Sequence, residues 1–292
     1  MMMATRKYGV AAALALWLTV AIVARAGAQV DVATADPLPA APVEGVVTQS
    51  EPEAQVKVLT NFVESGGNYL TLSNGYGHWD GGYVRGAYQQ GKNVWTGEIN
   101  GQQEFGDAGV YVAAGDTYTF NSDWYGSLTL GTSAGGFFWP RYRVDGFLNK
   151  KWLGRKQWIT TIGTGYYAAK DVHRDHSLLV GSTYYFEKPW ILEEGMYFNI
   201  SNPGVVFAPA GFVAVTRGKD KQQYFTVRAG LGEEGYQLIG PTTTLTQFNS
   251  QTVTITWRKW LGKAWGMNVV GDYYHSPFYT RGGSSFGFFK DF

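Results

Sequence analysis

Gly282-Gly283-Ser284-Ser285-Phe286-Gly287-Phe288-Phe289-Lys290-Asp291-Phe292 ends the chain. At a period of two, Phe286, Phe288 and Phe292 share one face, interrupted by Lys290. Ser285, Gly287, Phe289 and Asp291 take the other. Chain ends normally fray, so a strand that runs to a terminal aromatic needs a partner to hold it. A closed antiparallel barrel supplies one, because its last strand pairs with its first and leaves no edge in lipid. Ser285, Gly287 and Phe292 also read as the C-terminal signal that barrel-assembly machinery recognises. Lys290 departs from that signal, which prefers an apolar residue there. The competing reading is a soluble sandwich whose last strand ends the chain.

Composition favours the barrel. Charged residues are 16% of the 292, against roughly a quarter in soluble domains, while aromatics are 16% and glycines number 39. The mean hydropathy is only −0.19, far below what apolar membrane helices produce. Alternating apolar and polar strand residues give such a balance. The net charge of +1 provides no electrostatic basis for binding nucleic acid. The chain has no cysteine, which excludes disulfides, thiol catalysis and cysteine-based metal sites.

Residues 1–28 read as a secretory signal peptide. Arg6 and Lys7 precede the apolar run Val10–Ala24, and Ala26-Gly27-Ala28 is a small-x-small cleavage site before Gln29. Residues 29–54 combine Asp31, Asp36, Glu44, Glu51 and Glu53 with Pro37, Pro39, Pro42 and Pro52, the pattern of a disordered acidic periplasmic linker.

Residues 55–292 alternate. In Thr252–Trp260, Val253, Ile255 and Trp257 oppose Thr254, Thr256 and Arg258; in Val94–Glu104, Glu98, Asn100, Gln102 and Glu104 fall together. The expected fold is therefore all-β, a closed antiparallel transmembrane barrel of about fourteen strands, each near the 9–11 residues that cross a bilayer. Twelve strands result if the hairpin near 80–104 is miscounted. Strands are expected to begin near 56, 80, 94, 108, 124, 141, 157, 176, 190, 211, 222, 250, 265 and 282. Tight turns such as Gly91-Lys92-Asn93 and Leu261-Gly262-Lys263 should alternate with longer outer loops at 66–79, 135–140, 171–175, 201–210, 235–249 and 276–281. Trp124, Trp152, Trp158, Trp190, Trp260 and Trp265 all flank tight turns, which suggests an aromatic girdle at the periplasmic interface.

Four stretches carry a family resemblance. They are Glu104-Phe105-Gly106-Asp107, Phe137-Phe138-Trp139-Pro140-Arg141-Tyr142, Gly232-Glu233-Glu234-Gly235-Tyr236 and Phe278-Tyr279-Thr280-Arg281-Gly282-Gly283, with the terminal Phe292. In this order the chain from about 58 to 292 resembles the YaiO family of outer-membrane barrels. The family usually has Arg-Phe-Gly where this chain has Glu104-Phe105-Gly106, so the charge there is reversed. The resemblance implies the outer membrane of a Gram-negative bacterium, and a setting in surface-polysaccharide export or display.

Candidate chemistry is sparse. His176-Ser177 and His275-Ser276 are adjacent, so a continuing strand aims each pair at opposite faces. His78 and His173 fall in predicted loops without a paired carboxylate motif, and Asp171, His173 and Asp175 have the spacing of a solvated charge cluster more than of a metal site. No catalytic residue, metal ligand or cofactor is expected. The alternation aims Arg85, Glu98, Glu104, Arg141, Arg143, Asp145, Lys151, Arg228, Arg258 and Asp272 into the lumen, where both signs can pair and brace the wall or line a polar path. Tyr83, Tyr111, Phe147 and Tyr274 are candidate platforms for sugar rings, or packing residues. Glu233, Glu234 and Arg281 are expected at the extracellular rim, with Arg281 meeting one of the two carboxylates. The expected function is a pore or export component for an extracellular glycan; the alternative is a non-conducting barrel that sorts or anchors at the surface. Expected partners are outer-membrane lipid, lipopolysaccharide, the assembly machinery and glycan or glycan-synthesis proteins.

Overall fold

The computed structural model describes residues 61–187 and 189–292. The signal peptide, the linker and the first residues of the expected opening strand lie outside them.

Fourteen strands follow one another around a closed barrel. They are β1 (Phe62–Leu72), β2 (His78–Gln90), β3 (Asn93–Glu104), β4 (Asp107–Thr119), β5 (Trp124–Gly135), β6 (Tyr142–Trp152) and β7 (Trp158–Ala168). The series continues with β8 (Arg174–Tyr185), β9 (Trp190–Asn202), β10 (Val206–Lys219), β11 (Gln223–Leu238), β12 (Thr244–Trp260), β13 (Trp265–His275) and β14 (Thr280–Asp291). The hairpin at 80–104 is two full strands, so the twelve-strand count falls away. β14 closes on β1 from Phe62↔Asp291 to Leu72↔Arg281, and the Phe292 amide donates to the Asn61 carbonyl at 3.0 Å. The terminal strand is thus hydrogen-bonded to its last residue.

Alternation sorts the side chains into two surfaces. Val84, Ile99, Leu130, Ile162, Val180, Ile255 and Phe288 all face outward and exposed. In a membrane these need no protein cover. What the wall does need is a partner for every backbone donor and acceptor, and a closed ladder provides that. Phe286 and Phe288 point outward with Lys290, while Gly287, Phe289 and Asp291 are buried on the inside.

Inside, large rings lie across glycines of the next strand. The Tyr111 ring covers Gly131 and the Phe147 ring covers Gly163, and a Cβ at either glycine would overlap the ring. This packing explains part of the glycine content: a ring laid flat on a glycine fills the wall without crossing the lumen.

One end carries β1's start, β14's finish and the turns at 91–92, 120–123, 153–157, 220–222 and 261–264. The connections at the other end are shorter than expected; among the described residues none exceeds 136–141. The expected outer loops at 66–79, 201–210 and 235–249 are mostly strand. Gly66 and Gly67 looked like loop residues, but Gly66 is the wall position over which the Tyr83 hydroxyl passes.

Trp152, Trp158, Trp190 and Trp265 are exposed beside the tight turns, and Lys150 sits 5.0 Å from the Trp124 ring. Trp260 is a correction to the girdle. It shares the inward face with Arg258, is 6% exposed, and its Nε1 donates to Asp291 Oδ2 at 2.7 Å. Arg141 lies just before β6, which begins at Tyr142; it is exposed and donates to the Lys170 carbonyl at 2.8 Å.

The natural absence of cysteine makes the sidedness testable. A nitroxide on Ile255→Cys in proteoliposomes should be relaxed strongly by oxygen dissolved in lipid and weakly by a polar nickel chelate, and one on Thr254→Cys should show the reverse. Equal accessibility at both sites would contradict the lipid-out wall.

Candidate functional site

The interior is organised as a clasp near the periplasmic end and a web across the extracellular mouth. The clasp centres on Glu64 of β1, whose side chain is fully buried. Its Oε1 accepts from the Tyr83 hydroxyl at 2.9 Å, from Arg85 Nη2 at 2.9 Å and from Asn268 Nδ2 at 3.3 Å; its Oε2 accepts from Arg258 Nη1 at 2.6 Å. Arg258 also lies 3.5 Å from the Phe289 ring centroid. The carboxylate thus ties β1 to β2, β12 and β13, and Arg258 adds β14 through Phe289, so that all five strands around the closing seam are joined. Gly287 is needed here for room: a Cβ would press on the Tyr83 hydroxyl. Asp291 accepts from Trp260 and from Lys221, which fastens the end of β14 to the β10–β11 turn.

The remaining predicted lumen charges are mostly accommodated singly or in pairs. Arg143 makes a two-pronged contact with Asp145, Nε–Oδ2 2.6 Å and Nη2–Oδ1 3.2 Å. Arg228 lies 3.6 Å from the Phe212 ring centroid, and Lys151 lies 5.2 Å from that of Tyr125. Glu98 is the cross-strand neighbour of Arg85, and Glu104 ends β3 beside the mouth. Asp272 pairs with Arg281 at 3.1 Å.

At the mouth, aromatic rings join elements far apart in the chain. Phe105 contacts Tyr76, Trp79, Phe137 and Tyr279, with centroids 5.1–6.5 Å apart. Trp139 continues the web onto Tyr111 as a stacked pair at 5.0 Å. The loop carrying Phe137 and Trp139 is tied down by polar bonds. The Phe137 amide donates to Asp107 Oδ2 at 2.8 Å, the Tyr167 hydroxyl to the Phe138 carbonyl at 3.1 Å, and the Lys170 ammonium to the Gly135 and Gly136 carbonyls. Burial holds the Lys170 ammonium below the ordinary lysine range, with Asp107 opposing the shift. Arg281 is 7% exposed and lies over Trp79 and Tyr274, below the rim. Glu234 reaches the same cluster by accepting from the Tyr274 hydroxyl at 3.2 Å, whereas Glu233 takes the opposite strand face.

Tyr236 crosses the mouth to β8. Its hydroxyl donates to Asp175 Oδ2 at 3.0 Å, its ring stacks on His173 at 3.8 Å, and Gln237 next to it donates to the Tyr279 hydroxyl at 2.5 Å. His173 does have a carboxylate partner that spacing did not reveal: its Nδ1 lies 2.7 Å from Asp171 Oδ2. Asp171 and Asp175 thus serve different partners, and among the described residues no group of three or more His, Cys, Asp or Glu has a metal-binding arrangement. The rings expected to offer faces to sugars are largely occupied. Tyr111 lies between Gly131 and Trp139, Tyr274 is buried under Tyr279 and Arg281, and Tyr83 is bonded to Glu64.

An antiparallel wall that is closed, greasy outside and polar within defines an outer-membrane β-barrel, and its place is the outer membrane of a Gram-negative bacterium. The YaiO membrane beta barrel domain matches residues 60–237, and the chain belongs to that family. No curated protein sequence matches it. The fold is similar to that of the CymD monoaromatic hydrocarbon channel, with a TM-score of 0.56 and 7% identity over 80% of this chain and 89% of that one. It is also similar to the Pseudomonas putida toluene transporter TodX, at 0.54 and 10% over 80% and 90%. Acinetobacter baumannii Omp33 aligns at 0.49 and 8% over 80% and 99%. All four stretches that carried the resemblance converge on the mouth web.

Replacing Glu64 by Ala strands Arg258 beside Phe289. Removing one partner of a buried ion pair costs ~3–5 kcal/mol, and the urea midpoint of refolding into detergent micelles should fall accordingly. Glu64→Ala/Arg258→Met should recover part of that loss. An unchanged midpoint in Glu64→Ala would show that the clasp carries no stability.

Proposed function

We propose that the protein is an outer-membrane conduit that rests closed at its extracellular mouth and passes neutral or weakly charged hydrophilic chains of the glycan class. The observation that carries this reading is the chemistry of the wall beneath the web. Thr129, Thr161, Thr183, Thr226, Thr254 and Ser285 face inward and remain half-buried rather than packed away. The charges among them are balanced locally, as in Arg143–Asp145 and Arg85–Glu64. Hydroxyls without a net field suit a hydrated neutral polymer and give an ion little to bind. The family resemblance, with its implied setting in polysaccharide export, points the same way. The hydrocarbon cargo of CymD and TodX does not transfer, because at 7% and 10% identity those channels share only the fold.

The aromatic web supports a second reading, a non-conducting barrel that acts as a surface-sorting or structural partner of an envelope assembly. Conductance separates the two. In planar bilayers the native protein should be silent or flicker briefly, while Phe105→Ala/Tyr279→Ala should carry a stable current and let liposomes swell in neutral maltooligosaccharides. Silence in that variant, with its heat-modifiable barrel band intact, would decide for the non-conducting reading.

A further inference from the structure

The upper part of the β11–β12 hairpin stands free of the wall. β11 pairs with β10 only as far as Ala210↔Gly232, and β12 pairs with β13 only from Gln251↔His275. Beyond those rungs, among the described residues, the hairpin pairs with itself alone, from Glu233↔Asn249 to Leu238↔Thr244. β10 nevertheless continues to Val206, held by β9 on one side only. Its edge at 206–209 therefore faces a break in the barrel. A cavity of about 150 Å³ occupies the break, with Ser201, Pro203 and Val206 on one side and Gly235, Tyr236 and Thr246 on the other.

The free hairpin leans inward. Glu234, Gly235, Tyr236 and Gln237 are all buried, although alternation would expose two of them on an upright strand. Tyr236 holds Asp175 and His173 on one side of the mouth, and Gln237 holds Tyr279 on the other. An unpaired backbone edge on β10 and a hairpin bent away from it are two halves of one unmade ladder. Continuing the observed register, in which Ala210 faces Gly232, would set Phe207 opposite Gly235 and Val206 opposite Tyr236.

We propose, resting on the conduit reading, that this hairpin is the gate of the barrel. It swings upright about Gly232 and Ser250, which are register partners at its base, and zips onto the free edge of β10. The same motion withdraws Tyr236 and Gln237 from the mouth and seals the wall. The exchange is balanced: side-chain bonds and ring contacts across the mouth are traded for backbone ladder bonds that an open edge otherwise lacks. Pro209, which has no N–H, sits next to the last made rung and weakens the upright ladder at its first step, which keeps the resting state bent.

The test is to trap the upright state. Phe207→Cys with Gly235→Cys lies outside the mouth contacts, and the two thiols come within cross-strand reach only if the ladder zips. Ala210→Cys with Gly232→Cys, paired already in the resting wall, is the control. Under mild oxidant the 207/235 pair should form a disulfide in folded, heat-modifiable protein. The trapped barrel should then conduct in planar bilayers, and dithiothreitol should abolish the current. Failure of the 207/235 pair to cross-link while the control pair does would overturn the gate. So would a trapped but silent barrel when Phe105→Ala/Tyr279→Ala conducts. If the trapped barrel and that web variant are both silent, the conduit reading itself fails.

Discussion

Everything in this barrel depends on the closure of β14 against β1. A sheet in hydrocarbon cannot leave an edge open, because each unpaired backbone group there costs several kcal/mol, on the order of the whole stability of a small domain. The seam is the rung formed last in sequence, between strands separated by the whole chain, and it is where the interior is most heavily bonded. Glu64 takes four donors from three flanking strands, and Asp291 takes two more at the chain's end. A buried carboxylate earns its place only when its lone pairs are filled, and here they are filled by residues whose positions depend on the seam being shut. Ladder and clasp therefore support one another.

The inner wall solves a second problem, that of accommodating many aromatic rings without choking the bore. Rings are laid flat over glycines, and their outer faces are then covered by a cation or another ring. Phe212 lies over Gly195 and under Arg228; Tyr111 lies over Gly131 and under Trp139. Each such sandwich satisfies a ring and, where a guanidinium covers it, places a charge that would otherwise stand in the lumen. The charged and aromatic content of the inward face is thus consumed largely by the wall, and hydroxyls are left to define the bore.

The period-two alternation made the wall legible in the sequence, because each strand's two faces are written in consecutive residues. Val253, Ile255 and Trp257 against Thr254, Thr256 and Arg258 required no tertiary information. The strand parity that was legible should also have placed Trp260 inside with Arg258; proximity to a tight turn concealed it. Arg141 lies one residue before β6, where parity alone no longer fixes the face of a side chain. The mouth was not legible. Phe105, Phe137 and Tyr279 are separated by long stretches of chain, and nothing local says that their rings meet. Gly66 and Pro209 looked like breaks because their chemistry is that of breaks, yet one clears room for a hydroxyl and the other sits where a strand loses its neighbour. The His173–Asp171 pair escaped because a two-residue spacing in a loop carries no fixed geometry.

The two organised regions act on opposite ends of the same strand. β12 is fixed at its foot: Arg258 is held by Glu64, and Trp260 by Asp291. At its head, from Thr244 to Asn249, it is hydrogen-bonded to β11 and not to β13. A strand clamped below and unsupported above bends where its lateral ladder stops. The Gly232–Ser250 rung is the last one held from outside, by Ala210 of β10, and the next rung, Glu233↔Asn249, has a neighbour on neither outer side. The seam clasp thus does more than close the barrel. In the proposed gate, the fixed foot of β12 confines movement to the extracellular end and leaves the closed ladder in the membrane intact.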